Sequence, residues 1–332
     1  MNQSKVTEQD YLQFLIAAQR VYSCTEAASC HNQSVAHDAF TRLLARTPPD
    51  TVALWQEVEP LVNKQEGILV LDDTTLDKPH AKKMELVTRH WSGKHHSVVS
   101  GINLMTLLWT HGQVALPCDC ALYTGHLPDG CTKNQSFTQL LSTAHQRGFA
   151  PKRVCFDSWY SSLENLKHVR SLGWHFLTRL KSNRQVNPDG SGNRAVSEVE
   201  ISPQGSEVHL KGFGYVRVFR TVDKHGNAEQ AQYWATSDLS MTEQERHRLA
   251  TQVFNIESYH RGLKQCCGVE RCFARLKVAQ TNHIFLAVRA FVRLEVNRVT
   301  TGCGWYTAKT AIVRGAISNY LAQPTLTLKA TA

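Results

Sequence analysis

GILVLDDTT, residues 67–75, is the stretch that decides how this chain folds. Four aliphatic residues, Ile68 to Leu71, run straight into two carboxylates and two threonines. A short uninterrupted apolar run is the mark of a strand covered on both faces, and its polar end carries acidic side chains to the margin of a sheet. Two other acids stand in comparable places. Asp157 closes KRVCFD (152–157), a second short strand, and Glu257 lies within the helix-compatible VFNIESYHRGLK (253–264). Three hard oxygen donors gathered by strand ends and a helix read as a site for divalent metal ions acting on phosphodiesters.

The segments around these acids set the fold class. HSVVSGINLMTLLW (96–109) and QVALPCDCALY (113–123) read as strands joined through Gly112, and NQSFTQLLSTAHQRG (134–148) as a helix closing near Gly148. Beyond Asp157, LENLKHVRSLG (163–173) reads as a helix and WHFLTRLK (174–181) as a strand. Three strands, helix, strand, helix and strand make an α/β domain whose first strands form a meander, as in an RNase H-like core. Residues 182–237 alternate Gly-, Asn- and Asp-rich sections with strand-like EVHL, YVRVFR and QYWATSD, and read as an inserted β subdomain. The expected boundaries are 1–66 for an N-terminal helical region with a DNA-binding role, 67–181 for the first part of the core, 182–237 for the insert, 238–300 for the Glu257 helix and the C-terminal helices of the core, and 301–332 for a C-terminal tail.

The N-terminal region is mainly helical, with Pro48 and Pro49 separating its last two segments. CTEAASCHNQSVAHDAFTRLL (24–44) suits a helix-turn-helix whose second helix exposes His37 and Arg42, with His31 just ahead, while Ala36, Phe40 and Leu43 pack inward; a short helical cap is equally economical. The 37 Lys and Arg against 28 Asp and Glu leave a formal charge of +9, which suits a polyanionic partner. The ten cysteines form neither paired CxxC motifs nor a compact Cys/His pattern, and read as reduced thiols packed as small hydrophobes. MNQSKVTEQD lacks the basic flank and apolar run of a signal peptide, and the apolar stretches are too short or too interrupted to span a bilayer. A cytoplasmic, nucleoid-associated protein is expected.

Adjacent strand residues face opposite ways, so only one of Asp72 and Asp73 can face the ions. Asp73, followed directly by Thr74 and Thr75, is taken as the ligand, and Asp72 as a local supporting residue. Two Mg²⁺ ions about 3.5–4 Å apart, with Mn²⁺ as a substitute, would stabilise the attacking and leaving oxygens. On the helix, Glu257, Arg261 and Lys264 fall on one face, which suits one metal ligand beside two phosphate contacts; an exposed helix steadied by Glu–Arg pairing, worth about 0.2–0.5 kcal/mol, gives the same pattern. Thr242 and Glu245 read as a capping box ahead of that region, and Gly268 as its break.

LVLDDTT, VCFDSWYSS and FNIESYHRGLKQCCGVERCFAR, in that order across residues 67–281, together resemble the DDE transposases of bacterial insertion sequences, in the branch with a β-rich insertion before the catalytic Glu. The resemblance implies a metal-binding catalytic triad of Asp73, Asp157 and Glu257, with Lys264 on DNA near the scissile phosphate and His260 and Arg261 assisting. It implies binding to the double-stranded DNA of terminal inverted repeats, hydrolysis that exposes 3′-hydroxyl ends, and their transesterification into target DNA by a homodimer holding two ends. Branch members carry a Tyr and an Arg where this chain has Ala250 and Val253, a departure that bears on any hairpin step.

Beside the motifs, Trp159 and Tyr160 suit stacking on a displaced base or sealing of the core. Arg271, Arg275 and Lys277 would extend a basic track, and Lys78, His80, Lys82 and Lys83 follow Asp73 closely enough to grip substrate. Competing expectations are a metal-dependent endonuclease without strand transfer, an inactive DNA-binding descendant, and an unrelated hydrolase with an acidic metal site and a compact pocket.

Overall fold

A computed structural model describes residues 5–92, 96–128, 130–225 and 228–325. In chain order the protein forms helices α1 (Glu8–Ala17), α2 (Cys24–Ser29), α3 (His37–Arg46) and α4 (Val52–Val58). Strands β1 (Ile68–Asp77), β2 (Thr88–Ser92), β3 (Ser97–His111) and β4 (Val114–Leu122) follow, then α5 (Lys133–Gln146), β5 (Arg153–Phe156), α6 (Leu163–Ser171) and β6 (His175–Leu180). Next come β7 (Gln185–Asn187), β8 (Arg194–Ala195), β9 (Ser206–Leu210), β10 (Gly214–His225) and β11 (Ala228–Thr236). The chain closes with α7 (Glu243–Val253), α8 (Asn255–Cys267), α9 (Lys277–Thr301) and α10 (Trp305–Ala322). A sheet unit comprises Trp55–Pro79 and Leu86–Tyr259, and a helical unit comprises the chain up to Leu54, His80–Glu85 and the chain from His260 onward.

The sheet unit is mixed α/β, with one large and mostly antiparallel sheet. Its strand order among the described residues is β2-β3-β1-β5-β6-β11-β10-β9-β7-β8, with β4 also on β3. β1 pairs antiparallel with β3, and β3 with β4, which is the expected meander with the short β2 added. β5 runs parallel to β1 and β6 parallel to β5. Ile68 to Leu71 and Leu104, Met105, Leu107 and Leu108 are all buried, so both faces of this central part are covered and the sequence there shows no alternation. The strands of residues 182–237 do not form a separate sheet. β11 pairs with β6 and carries β10, β9, β7 and β8 outward from it, giving the edge of β6 a hydrogen-bonding partner.

Local chemistry sets the helix starts. Thr132 and Gln135 form a reciprocal capping box on α5, and Thr7 and Asp10 do so on α1. At α7 only half of the expected box forms: Thr242 accepts from the Glu245 amide, but the Glu245 carboxylate pairs with Arg153 at 3.0 Å. A buried guanidinium outcompetes a backbone amide for that side chain.

In the helical unit the 25-residue α9 is buried along most of its length, and its polar side chains bond the ends of other helices. Asn282 donates to the carbonyls of Leu44 and Thr47 at 2.7 and 2.8 Å, and His283 bridges the Tyr11 hydroxyl (2.9 Å) and the Gly268 carbonyl (3.1 Å). From α10, buried Lys309 donates to the carbonyls of Ile16, Ala18 and Cys266 at 2.8, 2.6 and 3.0 Å. These carbonyls at or beside helix ends would otherwise be buried without partners. The inward face of α3 is Ala39, Phe40 and Leu44, whereas Ala36, expected inside, is exposed; His37 and Arg42 face solvent. Residues 301–332, expected as a tail, contain the 18-residue α10. None of the ten cysteines is joined in a disulfide, and no helix among the described residues is long and apolar enough to cross a membrane.

α8 stops just before Gly268, which has φ +62° and sits so close to Tyr22 that an added Cβ would lie 2.3 Å from its ring. Gly268→Ala combines a left-handed backbone with an overlap, and is expected to cost at least about 1 kcal/mol. Urea unfolding with a midpoint equal to the parent's would contradict this account of the break.

Candidate active site

The site is built by the register of three parallel strands. Leu71 of β1 lies beside Phe156 of β5, so the next residues, Asp72 and Asp157, come side by side with their side chains on one face. Phe156 lies beside Thr178 of β6, which puts Arg179 next to Asp157, and Arg179 in turn faces Trp234 of β11. On the other side of β1, Asp72 is paired with Thr106 of β3, whose hydroxyl is 3.4 Å from that of Tyr259 on α8. Asn255, at the start of α8, donates to the Thr110 hydroxyl at 2.7 Å and the Gly112 carbonyl at 3.2 Å. These contacts hold the first turn of α8 over the sheet and bring Glu257 to the same side.

Asp72, Asp157, Glu257, Arg179, Trp234 and His247 line a cleft of about 480 Å³. Ala250, Val253 and Phe254 complete its helical wall. Arg246 steadies that wall: it is buried, grips Glu243 through two hydrogen bonds of 2.6 and 2.7 Å, and lies 5.6 Å from the Trp234 ring. Asp157 accepts from Arg179 at 2.9 Å and from the Ser158 amide at 2.6 Å.

The two neighbouring aspartates have opposite surroundings. Burial, with the charges of Asp73, Asp157 and Glu257 behind it, pushes the Asp72 carboxyl up to about 8. For Asp73 burial also opposes ionisation, but the Lys133 charge and hydrogen bonds from Asn103, Lys133 and Tyr160 outweigh it and hold the carboxyl below its usual range. Its Lys133 contact is 2.8 Å. Asp72 therefore takes the place beside Asp157 and Glu257 that the sequence assigned to Asp73, while Asp73 is committed to the other face of β1. The motif DDTT offers no signal for this choice, because the register with β5 makes it.

Among the described residues no three His, Cys, Asp or Glu side chains converge as a ready metal-binding group. Three carboxylates lining one cleft are nevertheless hard-oxygen donors, and a divalent cation there would offset both the burial and the neighbouring charges that raise the Asp72 carboxyl. The donor set fits such an ion.

The other expected residues are dispersed. His260 is 7% exposed and faces inward, so its expected contact with DNA does not fit its placement; it lies four residues after Ile256 and three before Leu263, both buried, and so on the inward face of the helix. Arg261 is exposed, and Lys264 has its ammonium 2.9 Å from Glu270. Arg271 is exposed but donates to the Arg20 carbonyl at 3.1 Å, while Arg275 and Lys277 are exposed. Trp159 is 50% exposed with the Lys133 ammonium 5.1 Å from its ring, whereas Tyr160 is buried and stacks on Phe137. Lys78 is buried. Arg179, Trp234, Lys133 and Arg246 were not legible as site residues; the one available cue is a cation, Arg179, inside HFLTRL, a strand that is otherwise mostly buried.

Residues 63–293 match the family model described as transposase DDE domain. Among solved structures, the cryo-EM structure of a piggyBac transposase synaptic complex with hairpin DNA is similar over 96% of this chain and 72% of that chain, at 10% identity and a TM-score of 0.51. That likeness is one of fold. The Drosophila P element transposase strand transfer complex aligns over 98% of this chain and 88% of that chain at 7% identity, but its TM-score of 0.29 carries no weight. No curated protein matches the sequence.

The opposite surroundings of the aspartates have opposite consequences for stability. Asp72 ionises near its ordinary value of 3.8 when unfolded and near 8 when folded, so its carboxyl costs stability progressively as pH rises between those values. Asp73, lowered on folding, contributes stability above the usual carboxylate range that is lost on acidification. At pH 8, Asp72→Asn is expected to melt a few degrees above the parent and Asp73→Asn a few degrees below, with the Asp72→Asn gain vanishing near pH 4. Thermal scans with the reverse order would exchange the two environments.

Proposed function

The chain belongs to the transposase DDE domain family, and on that footing we propose that it is a DNA transposase whose reacting groups are Asp72, Asp157 and Glu257. The observation that carries this assignment is the in-register placement of Asp72 beside Asp157 in the cleft that also holds Glu257. The family uses divalent metal ions, and Mg²⁺, with Mn²⁺ as a substitute, is the proposed pair of ions here. Bound ions supply Lewis acidity and lower the pKa of an attacking water or hydroxyl. Asp72, Asp157 and Glu257 are the side chains that would hold them.

The chain's own groups account for the rest. Asp72 keeps a proton on its carboxyl near neutral pH and gives it up when a cation offsets the neighbouring charges. Arg179 orients Asp157 and is itself 41% exposed at its side chain, open to a phosphate oxygen entering the cleft. Trp234 and Phe254 give the cleft apolar walls that exclude water from part of it. Ala250 and Val253 offer no hydroxyl or guanidinium there, so a hairpin step would have to rely on other side chains. β1 with β3 and β4, followed by the parallel β5 and β6, is the scaffold we take as RNase H-like, with β7 to β11 as its extension.

On this reading the protein binds the terminal inverted repeats of its element, cuts to leave 3′-hydroxyls and joins them to target DNA, acting as a homodimer that pairs two ends. Trp159, Arg261, Lys264, Arg271, Arg275 and Lys277 are its proposed DNA contacts; Asp73 supports the strand through Lys133.

Labelled DNA carrying the flanking terminal repeats of the element tests the assignment. Asp72→Asn and Glu257→Gln are each expected to lower Mg²⁺-dependent cleavage and joining at least ~100-fold with DNA binding retained, and Asp73→Asn far less. Full activity in a folded Asp72→Asn protein would remove Asp72 from the triad. Cleavage without joining in the parent would make the protein a nuclease. Separately, Arg179→Ala is expected to tighten Mn²⁺ binding to the DNA-free protein several-fold, since Asp157 loses its competing cation; unchanged affinity in a Mn²⁺ titration would show that Arg179 does not compete.

A further inference from the structure

Two large apolar side chains stand out from the surface of the helical unit on a loop that also carries exposed cations. Between α8 and α9 the chain runs through VERCFARL (269–276), where Phe273 is 71% and Leu276 55% exposed. The exposure of Phe273 is imposed by its neighbours. Cys272 is buried, and the fully buried Gln280 donates its amide to the carbonyls of both Cys272 (3.3 Å) and Ala274 (2.6 Å). One internal amide thus clamps the backbone on either side of Phe273, and the ring is left outside.

The segment His80–Glu85 is fastened to the same loop. The Glu85 amide donates to the Arg275 carbonyl at 3.3 Å, the Glu85 carboxylate accepts from the Lys277 amide at 2.6 Å, and Gln280 also reaches the Met84 sulfur at 3.6 Å. Exposed Lys82 and Lys83 are thereby joined to the loop that carries exposed Arg275 and Lys277. The two acids of these segments are engaged, Glu85 by the Lys277 amide and Glu270 by Lys264 at 2.9 Å. Four exposed cations thus belong to the two tied segments that carry the rigidly presented ring of Phe273.

We propose that this patch is a duplex-DNA contact in which Phe273, with Leu276 beside it, enters a base step while Lys82, Lys83, Arg275 and Lys277 hold the flanking phosphates. Charge complementarity selects a polyanion over an apolar protein partner, and an exposed ring on a fixed backbone is what prying open a stacked step requires, since a floppy side chain would yield first. The proposal rests on the reading that the protein acts on DNA, and adds a place where it deforms that DNA.

Terminal-repeat duplexes with 2-aminopurine at successive steps, titrated with the full chain, test it. The parent is expected to raise fluorescence at one step. Phe273→Ala is expected to abolish that rise and weaken binding about tenfold, whereas Phe273→Trp retains both. Lys82→Ala with Lys83→Ala is expected to weaken binding and reduce the slope of log K against log salt by about 0.9 for each phosphate no longer neutralised. Fluorescence and affinity unchanged in Phe273→Ala would overturn the wedge even if the parent cuts and joins DNA. Altered sedimentation of the free Phe273→Ala protein, with DNA binding intact, would also overturn it and assign the ring to a protein contact. A parent that binds no DNA at all would overturn the wedge and the transposase reading together.

Discussion

The parallel pairing of β1 with β5 is the constraint on which the rest of the molecule's chemistry depends. Its register sets Leu71 against Phe156 and so carries Asp72 and Asp157 out of the sheet together. Because side chains alternate along a strand, a shift of one residue would face Asp157 with Asp73 and would turn every buried aliphatic of β1 over. The pairing with β5 sets the register, and the register holds the carboxylates. Arg179 and Trp234 join the same lateral row because β6 and β11 continue the pairing across the sheet.

That row explains how two adjacent, identical residues acquire different chemistry. Asp73 meets a lysine, an asparagine and a tyrosine and is stabilised as an anion; Asp72, buried and facing other carboxylates, resists ionisation. A group left in an unfavourable state by its surroundings is a reservoir for function, since binding a cation there recovers what folding gave up. β11 contributes to this cleft directly through Trp234, so the strands beyond β6 line the cleft as well as extend the sheet.

The helical unit follows a different economy. Its long central helix buries Gln280, Asn282, His283 and Glu295, which an amphipathic helix would ordinarily turn to solvent. Asn282 and His283 bond the carbonyls of Leu44, Thr47 and Gly268, and Gln280 bonds those of Cys272 and Ala274 in the loop that precedes the helix. Buried polar groups that bond the backbone of neighbouring elements in this way specify one arrangement of the elements they touch. The rigid display of Phe273 is a by-product of that specificity.

The sequence by itself determined the α/β class, the meander of the first strands, the helix-strand-helix-strand order after it and the helical flanks, because apolar runs, turn residues and capping residues act over a few positions of chain. The family, too, was legible in LVLDDTT, VCFDSWYSS and the Glu257 segment. Which of Asp72 and Asp73 enters the cleft, which cation pairs with Asp157, whether His260 faces inward and whether the insert stands apart were decided only by tertiary structure. Each depends on the register or contact of segments distant in sequence, and a strand's own pattern is silent about which of its faces will meet a partner's charge.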